Sequence, residues 1–112
     1  VLLDTYHSVS EIERLRDQRL GLLEAQIYVT EQYLTTLTQR LFELKQSAGR
    51  FKPYSRDPDA LPVPENLALG LSQATGSIEI YEETLGRLRE QLLGLTASFA
   101  GDIVRYQELT GG

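Results

Sequence analysis

The chain has no cysteine, no methionine and no tryptophan, and a single histidine. Without thiols, disulfides, thiolate catalysis and cysteine–zinc sites are all excluded. Such a chain suits a reducing and an oxidising compartment equally well. No apolar run approaches the roughly 18 residues that a membrane span requires, and no signal-peptide pattern is present. Basic residues are also scarce: 11 Lys and Arg stand against 16 Asp and Glu, for a net charge of −5. The balance is −2 over residues 1–49, 0 over 50–65 and −3 over 66–112. No basic patch exists to neutralise phosphates, so neither nucleic acid nor an anionic membrane surface is an expected partner. Proline is missing almost everywhere. Pro53, Pro58, Pro62 and Pro64 all fall within FKPYSRDPDALPVPENL, residues 51–67.

What remains is a chain of 112 residues with 41% hydrophobic content, enough for one domain at most, expected as a single unit over 1–112. It starts at Val1 without methionine, as expected of a processed or excised piece of something exported or anchored. The two proline-free segments read as helices. Helix 1 is expected over about 8–48, opening with a capping box at Ser8–Glu11 or Ser10–Glu13 and closing at Gly49. Helix 2 is expected over about 64–109, opening at Pro64-Glu65, and the connection between them over about 50–63.

Apolar residues in both segments follow alternating spacings of four and three. On helix 2 these are Leu67, Leu71, Ala74, Ile78, Tyr81, Leu85, Leu88, Leu92, Leu95 and Phe99, then Tyr106 and Leu109 after an interruption at Asp102. On helix 1 they are Leu20, Leu23, Ile27, Thr30, Leu34, Leu37, Leu41, Leu44 and Ala48. A heptad pattern held over four repeats predicts coiled-coil-like packing. Folding the chain back pairs residues whose numbers sum to 115. Ala48 then meets Leu67, Leu44 meets Leu71, Leu34 meets Tyr81, Val9 meets Tyr106 and Tyr6 meets Leu109. The expected fold is all-α: a long antiparallel two-helix coiled-coil hairpin, each arm roughly 60 Å long.

A second set of residues lies outside this seam. Leu15, Leu22 and Val29 form a heptad-spaced stripe on helix 1, and Gly86, Leu93, Gly94 and Gly101 a small-residue face on helix 2. Gly21 lies level with Gly94. Each helical glycine costs ~1 kcal/mol relative to alanine, so Gly21, Gly86, Gly94 and Gly101 together cost ~4 kcal/mol. Close approach of another helix would offset that cost. These eight residues are the candidate oligomer face, and a homodimer forming a four-helix bundle is the expected assembly.

Chemistry finds little footing. Glu13 and Asp102 fall opposite each other in the seam, and Arg16, one turn away, is expected to neutralise them in a layer that sets register. Asp4 and His7 sit three apart near Glu108, but the acid is short and the place is a chain end, so a solvated segment is expected rather than a metal site. Nucleophile-elbow, phosphate-loop, zincin and EF-hand patterns are absent. No catalytic residue, metal or cofactor is expected, and an enzyme is not.

The connection is the other candidate site. Phe51, Leu61 and Val63 are expected to cover the open end of the seam, leaving Tyr54, Arg56, Asp57 and Asp59 outward as a partner-docking loop. The RDPDA tip, with Asp57 and Asp59, resembles the acidic-tipped coiled-coil fingers of transcription factors that enter the secondary channel of RNA polymerase. That resemblance implies a polymerase-directed role. SRDPDALPVPENLA followed by a long helix resembles bacterial envelope coiled-coil proteins, implying the cell envelope (periplasm) as location. The expected function is a non-catalytic helical-hairpin interaction and oligomerisation module with a structural or scaffold role. The alternative is an extracytoplasmic sensor or spacer domain of a membrane-anchored protein.

Overall fold

The computed structural model describes residues 8–111. Among these the chain is all-helical, with two α-helices packed against each other and no strand. Helix α1 spans Val9–Ala48 and helix α2 spans Glu65–Thr110.

The helix ends follow from local chemistry. Of the two possible capping boxes, the one at Ser8 is used: the Glu11 N–H donates to Ser8 Oγ at 3.1 Å. One of the free N–H groups that every helix start carries is thereby satisfied. At the other end of α1 the Gly49 N–H is shared between the carbonyls of Lys45 at 3.0 Å and Gln46 at 3.2 Å. Gly49 closes α1 without the left-handed backbone usual for such a cap, for the only positive φ among the described residues is 74° at Gly111. A Cβ at position 49 would approach the Gln46 carbonyl to 3.3 Å, so the glycine provides room there. Helix α2 opens on the Pro64 carbonyl, which accepts from Leu67 and Ala68 N–H at 3.1 and 3.0 Å.

The 4-3 seam is visible residue by residue. From Leu20 to Ala48 every seam position on α1 is buried or half-buried, and every other α1 residue in that interval is exposed. On α2 all ten seam positions from Leu67 to Phe99 are likewise covered. Leu109, expected to continue the seam, is exposed instead. It lies in the last turn of α2, and its expected partner Tyr6 lies outside the described residues.

The chain divides into two compact units, Thr30–Thr84 and Val1–Val29 with Leu85–Gly112. Within the first, Leu37, Ala48 and Ala74 are buried. The Tyr33 and Tyr81 rings meet edge to face at 4.7 Å between centroids. The Leu44 methyls lie 3.6 Å from where a Cβ of Gly70 would stand, which explains why Gly70 is half-buried. Both pairs have numbers summing to 114, one off the register set by the heptads. Tyr81 thus meets Tyr33 beside the expected Leu34, because a tyrosine on the flank is long enough to reach the seam edge.

In the second unit Ile12, Phe99 and Tyr106 form a buried cluster, with Val9, Leu15, Leu95 and Ile103 packed around it. The Arg19 guanidinium stands 5.7 Å above the Phe99 ring, within cation–π range. In each unit the partner numbers on α2 rise as those on α1 fall, the mark of an antiparallel pair.

Candidate functional site

The connection is an ordered structure with its own hydrogen bonds. Lys52 bridges to its far side: its N–H donates to the Leu61 carbonyl at 2.7 Å, and its carbonyl accepts from the Val63 N–H at 2.9 Å. Tyr54 and Ser55 N–H groups return to the Phe51 carbonyl at 2.9 and 2.7 Å. Asp57-Pro58-Asp59-Ala60 forms a tight turn, closed by the Ala60 N–H on the Asp57 carbonyl at 3.1 Å. Proline in second position supplies the φ this turn needs, and the absence of positive φ at Asp59 excludes type II. Asp57 Oδ1 also accepts from the Asp59 N–H at 2.9 Å, and the Asp57 N–H donates to Ser55 Oγ at 3.1 Å. The Asp57 carboxylate therefore holds the turn together.

Of the four candidate docking residues, Tyr54, Arg56, Asp57 and Asp59 are all exposed. Phe51 and Val63 are half-buried, but Leu61 is 70% exposed and takes no part in a lid. The Lys52 bridge fixes this segment through the backbone alone, by the Leu61 carbonyl and the Val63 N–H, and so places no demand on the Leu61 side chain.

Beside the connection lies a groove of about 740 Å³, lined by Leu41, Lys45 and Ala48 of α1, Tyr54, and Ala68, Leu71, Ser72, Thr75, Gly76 and Glu79 of α2. It lies wholly within the Thr30–Thr84 unit. The floor is apolar or small, and Lys45 and Glu79 are its only charged members. The Thr75 hydroxyl is already engaged, donating to the Leu71 carbonyl at 2.8 Å. Gly76 has open space where a Cβ would stand. This groove was not foreseen from the heptads, although Ala68, Ser72 and Gly76, spaced by four, are a readable ridge of small residues.

The candidate oligomer face belongs to the other unit. Leu22, Val29 and Leu93 are 67%, 65% and 72% exposed. Gly21, Gly86 and Gly94 have nothing within 4 Å of a built Cβ, and Gly101 meets only the Arg105 guanidinium, at 3.9 Å. Leu15 differs from the rest, being half-buried against the Ile12–Phe99–Tyr106 cluster. By heptad position Leu22, Val29, Gly94 and Gly101 share one flank of the helix pair; Gly21, Gly86 and Leu93 fall on the other.

The polar layer is arranged differently from expectation. Arg16 turns to its neighbour Asp17, with Nε to Oδ1 at 3.0 Å, and leaves Glu13 and Asp102. Asp102 is met instead by Arg105 of its own helix at 2.6 Å, with the carboxylate 20% exposed. A partner three residues along the same helix is closer than one across the seam. Among the described residues no group of three or more His, Asp or Glu side chains could hold a metal ion. Asp4 and His7 lie outside the described residues. No described helix is long and apolar enough to cross a membrane.

Fold and site together define an all-helical chain built on one heptad seam, with a structured connection, a groove beside it and an uncovered flank. Compared with protein-family models, curated proteins and solved structures, the chain matches none of them.

Proposed function

We propose that this chain is a non-catalytic helical-hairpin interaction module that self-associates, most simply as two copies forming a four-helix bundle. One observation carries the proposal. On one flank of the helix pair Leu22 and Val29 are each about two-thirds exposed, and Gly94 on the same flank faces open space. A partner helix approaching that flank covers the two apolar side chains and offsets the helix-propensity cost of the glycine there.

A small core points the same way: among the described residues Ile12 is the one large side chain that is fully enclosed.

Sedimentation equilibrium at tens of micromolar tests the proposal, and a monomer there sinks it. Gly94→Leu with Gly101→Leu is expected to weaken the assembly while the monomer stays helical. A Cβ at Gly94 meets nothing within 4 Å, and one at Gly101 meets only the flexible end of Arg105, at 3.9 Å.

A second role, as a sensor or spacer domain of a membrane-anchored protein, is favoured by one fact. Ser8 and Gly111 belong to the same compact unit, so both ends of the described chain emerge from it.

A further inference from the structure

The helical glycines of the Val1–Val29 and Leu85–Gly112 unit are Gly21, Gly86, Gly94 and Gly101. Each has a large apolar residue of the other helix at its own level and on its own flank. On the flank proposed above for self-association, Gly94 is level with Leu22 and Gly101 with Leu15. On the second flank Gly21 is level with Leu93 and Gly86 with Tyr28. All four pairs fall within one residue of the register in which numbers sum to 115.

On the second flank the hairpin itself makes no use of this pairing. A Cβ at Gly21 or Gly86 would meet nothing within 4 Å, so neither glycine makes room for the neighbouring helix of its own chain. Leu93 and Tyr28 are 72% and 64% exposed. Two apolar side chains therefore stand beside two hollows that nothing in the chain fills.

The level pairing restricts the occupant. Let two copies face each other on this flank, related by a half turn about the axis of the helix pair. That operation lays α1 of each copy against α2 of the other, antiparallel to it, and keeps every residue at its level. Leu93 of each copy then stands over Gly21 of the other, and Tyr28 over Gly86. Such reciprocity is what an isologous contact requires. The charges agree with it. By heptad position the flank carries Arg14, Asp17, Glu24 and Arg89, two of each sign, and the half turn brings Glu24 within two residues of Arg89 of the other copy.

We infer that the second flank, built on Gly21, Tyr28, Gly86 and Leu93, is a contact with another copy of this chain about a two-fold axis. With a copy bound on each flank, the assembly grows beyond a dimer. Only that growth rests on the first-flank contact proposed above; the second contact stands without it.

Sedimentation equilibrium on the full chain, with variants that close each flank, tests the inference. The unaltered chain is expected to exceed the mass of a dimer as concentration rises. Gly94→Leu with Gly101→Leu closes the first flank and should leave a discrete dimer held by the second. Adding Gly21→Leu to that variant sets leucine against Leu93 and should raise the dimer dissociation constant at least about tenfold. Adding Leu93→Gly as well moves the knob to the other helix and should restore the dimer, which a folding defect would not do. Gly76→Leu, at a glycine of the other unit that also has open space around it, is the control and should change nothing. An unaltered chain that stops at a dimer, or a Gly94→Leu, Gly101→Leu chain that is monomeric, overturns the inference and leaves the first-flank reading in place. Association unaffected by Gly21→Leu, or not restored by Leu93→Gly, overturns it as well. A dimer that ignores the first-flank substitutions but yields to Gly21→Leu supports the second contact and removes the first.

Discussion

Replacing Ile12 with alanine probes the seam where it is most enclosed. Ile12 has 0% exposure and is surrounded by Phe99, Tyr106, Val9, Leu15, Leu95 and Ile103. The substitution removes three carbons, worth ~2.4 kcal/mol at about 0.8 per buried methylene. The cavity left behind adds to this, and comparable substitutions cost about 2–5 kcal/mol. Position 12 lies near the start of α1, where the first turn can partly collapse onto the gap, so about 3 kcal/mol is expected. With a urea m-value of about 1.5 kcal/mol/M, the unfolding midpoint should fall by about 2 M with the slope unchanged. Leu22→Ala, ten residues along the same helix but exposed, is the control. At low micromolar concentration, where self-association is minimised, it should cost under about 0.5 kcal/mol. Equal midpoints for the two variants would refute the assignment of Ile12 to the core.

Two further outcomes follow from single contacts. Gly70→Ala should stabilise the chain by up to ~1 kcal/mol in thermal or urea unfolding, because the new methyl meets the Leu44 side chain at ordinary van der Waals distance. A double-mutant cycle on Tyr33→Leu and Tyr81→Leu should give a coupling of about 0.5–1.5 kcal/mol from the edge-to-face pair, and a coupling near zero would show that the rings do not interact in solution.

The seam is legible in the sequence because burial in a two-helix pair depends almost wholly on heptad position. Leu20 through Ala48 alternate four and three, and no side chain between them has anywhere to hide. Departures occur where a local partner outbids the periodic one. Arg16 prefers adjacent Asp17 to a carboxylate across the seam, and Asp102 takes Arg105 from its own next turn. Leu15 has stripe spacing, yet it lies beside the bulky Phe99–Tyr106 cluster and is drawn against it. The connection is least legible. Its backbone path follows the hydrogen bonds of Lys52, and no periodicity announces which residue will bridge. The groove depends on three elements meeting, so its small-residue ridge has meaning only once Tyr54 and Lys45 are placed beside it.

The Lys52 bridge changes what joins the helices. With Lys52 tied to Leu61 and Val63, residues 53–60 form a side loop, a closed lasso hanging off the shortest path between α1 and α2. The distance felt by the two helix ends is set at the neck of that lasso. Its rim, around Arg56 to Asp59, can therefore be lengthened, tagged or cut while the neck holds the helices in place. The tip and the helix pair are in this sense two separately editable parts, joined by three residues.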